Sequence, residues 1–125
     1  MRGQKLFVRP IESEDTPALR RFFAAYANSR AIPTCGLVGK LVGELVAVMA
    51  IDISGPREIL IESLIVAPEY RRKRVGRVML AELEALGARM ERDRLVVVPS
   101  AEARGFLEKS GFVDDGTRMV RRVRR

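Results

Sequence analysis

Apolar residues along this chain follow two different rhythms. Short runs rich in β-branched and aliphatic residues (LFVRP, GLVGKL, ELVAVMAIDI, REILIESLIVAP and RLVVV) predict strands. Between them, apolar positions recur at steps of three and four. In ESEDTPALRRFFAAYAN, residues Leu19, Phe22, Phe23 and Tyr26 make one apolar helical face. Thr16 is the expected N-cap and Pro17 fits the first helical position. From about Val75 to Glu91 the pattern is again helical, with Met79, Leu83, Leu86 and Met90 on one side. A third, short helix is expected in AEARGFLEKS, capped by Ser100 and ended by Gly111.

Breakers place the connections. Pro33 and Gly36 mark the exit from the first helix, Val42-Gly43 a hairpin turn, and SGP at 54–56 another turn. Pro68 and Pro99 close two strands, and a turn at Asp115-Gly116 leads into a last strand in GFVDDGTRMVRRV. The predicted order is β-α-β-β-β-α-β-α-β, with hairpins early and helical crossovers late. An α/β (α+β) fold follows, a mixed sheet with helices on both faces. The length of 125 residues suits one domain, 1–125.

Composition narrows the chemistry. Hydrophobic residues make up 47 % of the chain, enough to fill a core. No apolar run approaches the roughly 18 residues of a membrane span, and MRGQKLFVRP has no secretory h-region. Cys35 is the single cysteine, so no internal disulfide forms; a reducing, cytoplasmic setting fits. The chain has no histidine, which excludes Ser-His-Asp and Cys-His catalysis and any His-based metal site. No metal is expected. Acids and bases must come from Glu, Asp, Tyr, Lys, Cys35 or water.

The formal charge of +7 asks for an anionic partner. Nucleic acid, an acidic membrane and a phosphorylated cofactor all qualify on charge alone. The segment RRKRVGR, residues 71–77, is the densest basic run, and it stands between a buried strand and a long helix. A helix N-terminus offers unpaired N–H groups and positive dipole potential, and flanking guanidiniums add charge-assisted bonds. Gly76 lets a ligand approach the backbone. The position of this loop, together with its charge, suits a pyrophosphate. Little aromatic residue is interleaved with it, which disfavours a nucleic-acid surface. The terminal RRVRR predicts a solvated end beside an edge strand.

The segment LIVAPEYRRKRVGRVMLAEL resembles the acyl-CoA-binding segment of the GNAT N-acetyltransferase superfamily: V-x-P-x-Y, then Arg or Gln, two variable residues, Gly, one variable residue, and Gly or Ala. Arg71 fills the Arg/Gln position and Gly76 the last. SAEARGFLEKSGF resembles the second signature of the superfamily, an Asn-led helix reading roughly F-Y-E-K-x-G-F. GELVAVMAI resembles its usual hairpin, and GTRMVRRV its last strand. The likeness runs from about residue 5 to 123.

It implies a mostly antiparallel sheet with two splayed strands and acetyl-CoA wedged between them. Leu64 and Val66 would pair with pantetheine through their backbone. Arg71, Arg72, Lys73, Arg74, Val75, Gly76 and Arg77 would wrap the pyrophosphate. Backbone N–H groups near Leu64 and Ile65 would polarise the thioester carbonyl. Ser100, at the position of the usual Asn, together with Phe106 and Lys109, would complete the cofactor side. Glu62 is the candidate base, through an ordered water.

Three departures stand out. Arg74 replaces the first glycine, so its backbone must avoid positive φ or accept strain. Leu107 replaces the tyrosine that usually protonates the departing thiolate. The segment between the first two strands has room for one helix where the superfamily often has two, so an open acceptor site suited to a small-molecule or peptide amine is expected, or a homodimer partner completes it. The function expected is N-acetyl transfer to a primary amine. Alternatives are a CoA-binding regulatory module and a basic nucleic-acid-binding domain. Neither a specific nucleic acid nor a membrane is expected as partner.

Overall fold

A computed structural model describes residues 5–124. Strand β1 (Leu6–Pro10) leads through a 3-10 turn at Ser13–Asp15 into α1 (Thr16–Tyr26). Strands β2 (Gly36–Leu41), β3 (Glu44–Asp52) and β4 (Glu58–Val66) follow as a meander. A 3-10 turn at Pro68–Tyr70 precedes α2 (Val75–Arg89) and β5 (Arg94–Val97). The chain ends with α3 (Arg104–Lys109), β6 (Val113–Asp114) and β7 (Met119–Arg122). All seven strands form one sheet in the order β1-β2-β3-β4-β5-β7-β6. Among the described residues only β4 and β5 run parallel, because α2 carries the chain back between them.

The hairpin turn lies where its residues predict it. Val42 (φ 51°) and Gly43 (φ 77°) are both left-handed, which matches the twist of the flanking strands. Gly111 (φ 91°) ends α3 in a Schellman motif: Phe112 N–H donates to the Leu107 carbonyl and Gly111 N–H to that of Glu108.

Three boundaries differ from expectation. Thr16 is the first residue of α1 and not its cap; its hydroxyl donates back to the Ser13 carbonyl at 2.9 Å. The cap is displaced because Asp15 is drawn into the core. Its carboxylate accepts two bonds from the Arg9 guanidinium (2.9 and 2.7 Å) and one from Glu12 N–H (2.7 Å), with Lys40 Nζ at 3.8 Å. The Arg9 hydrogen bond, helped by Glu12 N–H and Lys40, holds this carboxyl at about 2 against the opposing pull of burial. Next, α3 begins at Arg104, while Ser100 Oγ accepts from Ala103 N–H at 3.2 Å and caps only the turn before it. Last, β7 is not an edge strand, since the two-residue β6 pairs with it outside.

Two apolar layers sandwich the sheet. Leu19, Phe22 and Phe23 of α1 pack on Val38 and Val48 on one face. On the other face Val75, Met79 and Leu83 of α2 pack on Leu37, Met49, Ile59 and Leu95. Gly39 allows that approach: a Cβ there would come within 3.0 Å of Met79 Sδ. The predicted apolar stripe of α2 holds, with Leu86 and Met90 at its half-buried end.

Among the described residues, no helix is long and apolar enough to cross a membrane. No group of three metal-ligating side chains converges among them.

Candidate active site

The sheet opens in the middle. Strands β4 and β5 pair over Glu58–Ile61 and Arg94–Val97 and then part. Strand β4 continues to Val66, so residues 62–66 have a strand neighbour only on the β3 side. Pro99 explains the parting, because it follows β5 closely and cannot donate to a ladder.

A bulge sits at the fork. Ala50 opposes Ser63 and Ile51 opposes Ile61, which leaves Glu62 without a cross-strand partner. Strict alternation would put Ile61 and Leu64 on opposite faces, yet both pack into the α2 layer. The inserted residue restores that phase. It also leaves the Glu62 side chain exposed at the fork, with no hydrogen-bond or ion-pair partner among the described residues.

Two adjoining cavities fill the gap. One of about 350 Å³ lies between Glu62, Ser63 and Leu64 of β4 and the Val97–Ser100 segment, roofed by Phe106 and Leu107. The other, about 840 Å³, runs from Leu64, Ile65 and Val66 along the loop to α2. They share Leu64, Ser100, Ala103 and Phe106, so they form one continuous cleft. Gly76 sits at the waist, where a Cβ would meet Phe106 Cζ at 3.2 Å and Leu64 Cδ2 at 3.6 Å. A side chain there would narrow the passage.

The loop that closes the wide end has an unusual backbone. Arg72 (φ 62°) and Arg74 (φ 65°) are both left-handed. Arg71, Arg72, Arg74 and Arg77 line the cavity. Lys73 lies between the two left-handed residues, its Nζ 5.9 Å from the Tyr70 ring centre. Arg71 Nε donates to the Val66 carbonyl at 3.2 Å and ties the loop to the end of β4. The first helical bond of α2 runs from Val78 N–H to the Arg74 carbonyl, so the N–H groups of Val75, Gly76 and Arg77 precede it.

This arrangement suits an extended ligand with an anionic end at the helix N-terminus and a reactive end at the fork. Comparison with known proteins agrees. The sequence matches the acetyltransferase (GNAT) family over residues 4–112. The chain belongs to the GNAT acetyltransferase family.

Solved structures share its fold. Ard1 from Thermoplasma volcanium superposes with a TM-score of 0.78 at 18 % identity, covering 96 % of this chain and 99 % of that one. PaiA N-acetyltransferase from Thermoplasma acidophilum, solved in complex with coenzyme A, gives 0.71 at 16 % identity, over 93 % and 96 %. N-acetylglutamate synthase from Neisseria gonorrhoeae, solved with coenzyme A and N-acetyl-glutamate, gives 0.74 at 18 %, over 97 % of this chain and 36 % of that one. No curated protein sequence matches the chain.

In this GNAT chain the fold brings most of the expected residues to one cleft. Leu64, Ile65, Val66, Arg71, Arg72, Arg74, Val75, Gly76, Arg77, Ser100 and Phe106 line it, and Glu62 stands at its fork. Lys73 and Lys109 do not line it. Arg74 takes the second of the two courses open to it and adopts positive φ, at a cost of about 1–2 kcal/mol.

Tyr26 and Glu102 are among the lining residues that sequence reasoning missed. Tyr26, 39 % exposed, reaches the lip of the wide cavity from the C-terminal turn of α1. Glu102 lies on its far rim. The helical spacing of Tyr26 fits a core stripe equally well, so no local signal separates the two fates. Cys35 lies in the electrostatic reach of Asp52 and Glu62. Burial, then these two carboxylates, push its thiol above the ordinary range.

Proposed function

We propose that this protein transfers an acetyl group from acetyl-CoA to a primary amine. The observation that carries the reading is the fork between β4 and β5, continuous with an arginine-lined helix N-terminus. A CoA thioester threaded through that gap puts pyrophosphate on the loop, pantetheine along the free side of β4, and the acyl group beside the bulge.

The chemistry asks little of the protein. The amine nitrogen attacks the thioester carbonyl, a C–N bond forms, and the C–S bond breaks to release CoA thiolate. Main-chain N–H groups of the Leu64–Ile65 region hold the oxyanion. The proton lost by the amine passes through water to Glu62, whose exposed, unpartnered carboxylate can accept it. A raised Cys35 thiol is a poor nucleophile, which favours direct transfer in a ternary complex over an acyl-cysteine intermediate.

Leu107 is buried at the roof and supplies no proton. A thiol with a pKa of about 8.5 is a fair leaving group without an acid, so turnover is slow and not absent. The same residue favours one second reading, a module that binds CoA without catalysis.

The test is thiol release from acetyl-CoA with a panel of small amines and lysine peptides, alongside thermal shift with CoA. Stabilisation plus amine-dependent thiol release supports the enzyme. Stabilisation without release supports the binding module. A melting temperature unmoved by CoA sinks both.

A further inference from the structure

The basic loop carries more charge than a pyrophosphate needs. Several arginines elsewhere in the molecule are paired: Arg104 with Asp114 at 2.6 Å, Arg118 with Glu58 at 3.1 Å, and Arg121 with Glu84 at 2.9 Å. Arg71, Arg72, Arg74 and Arg77 have no ion-pair partner among the described residues, and all four are exposed on the lining of one cavity. Glu102 is the acidic residue on that lining. Four cations less one anion leave +3, and the α2 N-terminus adds about half a charge. The total, roughly +3.5, exceeds the two negative charges of a pyrophosphate diester.

The backbone is committed to that surplus. Two left-handed arginines, Arg72 and Arg74, flank Lys73, and both line the cavity. Left-handed backbone at a residue with a Cβ costs about 1–2 kcal/mol each time. A loop that only needed a tight turn would meet that cost with glycine. Here the cost places guanidiniums. A phosphate monoester carries about −1.5 to −2 at neutral pH, so pyrophosphate plus one monoester brings about −3.5 to −4. That matches the cleft.

We propose that the loop binds three phosphates, the pyrophosphate and the 3′-phosphate of the CoA nucleotide, and so selects CoA over its 3′-dephospho form. This inference rests on the acetyl-CoA reading above and adds the specificity of its nucleotide end. Arg71 is tied to the strand end and serves the pyrophosphate nearest pantetheine. The third phosphate falls to the remaining arginines, Arg72, Arg74 and Arg77.

Isothermal titration of the full chain with CoA and with 3′-dephospho-CoA, in matched buffer at low and moderate salt, tests it. Tighter binding of CoA by about tenfold or more, with the gap shrinking as salt rises, is the expected result. In Arg72→Gln and Arg77→Gln, at least one is expected to lose most of the gap while still binding 3′-dephospho-CoA. Equal affinity for the two nucleotides overturns the proposal and leaves the CoA reading intact. A gap unchanged in Arg72→Gln, Arg74→Gln and Arg77→Gln also overturns it, since the third phosphate then lies elsewhere. Binding of neither nucleotide overturns both.

Discussion

Replacing Asp15 by Asn removes one buried negative charge and one of the two oxygens that accept from Arg9. The side chain is 4 % exposed and nearly isosteric with Asn, whose carbonyl oxygen can still accept from Glu12 N–H. In the folded protein the carboxyl titrates at about 2, against an ordinary value of 3.8. A drop of nearly two pH units, at about 1.4 kcal/mol each, makes the ionised form worth about 2 kcal/mol to the fold. Because the folded value is the lower one, this stability is fully present above pH 3.8. It is lost as pH falls through 2. Asp15→Asn should therefore be about 2 kcal/mol less stable at pH 7 and at pH 5. The difference between the two proteins should shrink below pH 4 and nearly vanish near pH 2. Urea unfolding of both proteins at pH 7, 5, 3 and 2, compared at equal m-value, reads this directly. A gap that stays constant with pH, or is absent at pH 7, would refute the claim that Arg9 and Glu12 N–H stabilise a charged Asp15. Wild-type acid sensitivity alone decides nothing, because other carboxylates titrate in the same range.

Three further changes bear on the sheet and the cleft. Gly36→Ala drives a Cβ into the carbonyl of Met49 on the neighbouring strand, so a loss above about 3 kcal/mol, or no soluble protein, is expected in chemical denaturation; a loss under 1 kcal/mol would show that β2 and β3 shift freely. Arg74→Gly relieves left-handed strain but adds chain entropy, for a net gain of up to about 1 kcal/mol. The melting temperature without ligand should rise while CoA binding weakens, and parallel movement of the two would contradict the division of roles. Glu62→Gln should lower kcat by about a hundredfold at neutral pH with stability within about 0.5 kcal/mol, since the side chain is exposed and unpartnered; unchanged turnover in a pH profile would remove Glu62 from proton transfer.

The phosphate end of the site was legible because it is local. A strand, a basic loop and a helix start lie within residues 58–77, so position and charge together pointed to an anion cradle. The catalytic end was legible only as a resemblance. Glu62 looks like any polar residue in an apolar strand until β3 is beside it. The bulge that exposes it is a mismatch between two strands, and one strand alone has no register. The same holds for Tyr26, which continues an apolar stripe in sequence and lines the cleft only because β4 and β5 part beneath it.

By itself, the sequence determined periods and breaks: which segments are strands, which are helices, where Val42-Gly43 and Gly111 turn the chain, and which run is densest in basic residues. These depend on steric preferences and side-chain spacing within a few residues. Tertiary structure decided which neighbours each segment received. It drew Asp15 inward and moved the start of α1, covered β7 with β6, brought Arg72 and Arg74 to one cavity, and ended the β4–β5 ladder at Ile61 and Val97. The β4–β5 ladder and the Lys40 contact of Asp15 depend on partners distant in the chain, where packing and hydrogen bonding outweigh the local preference of about 1–2 kcal/mol.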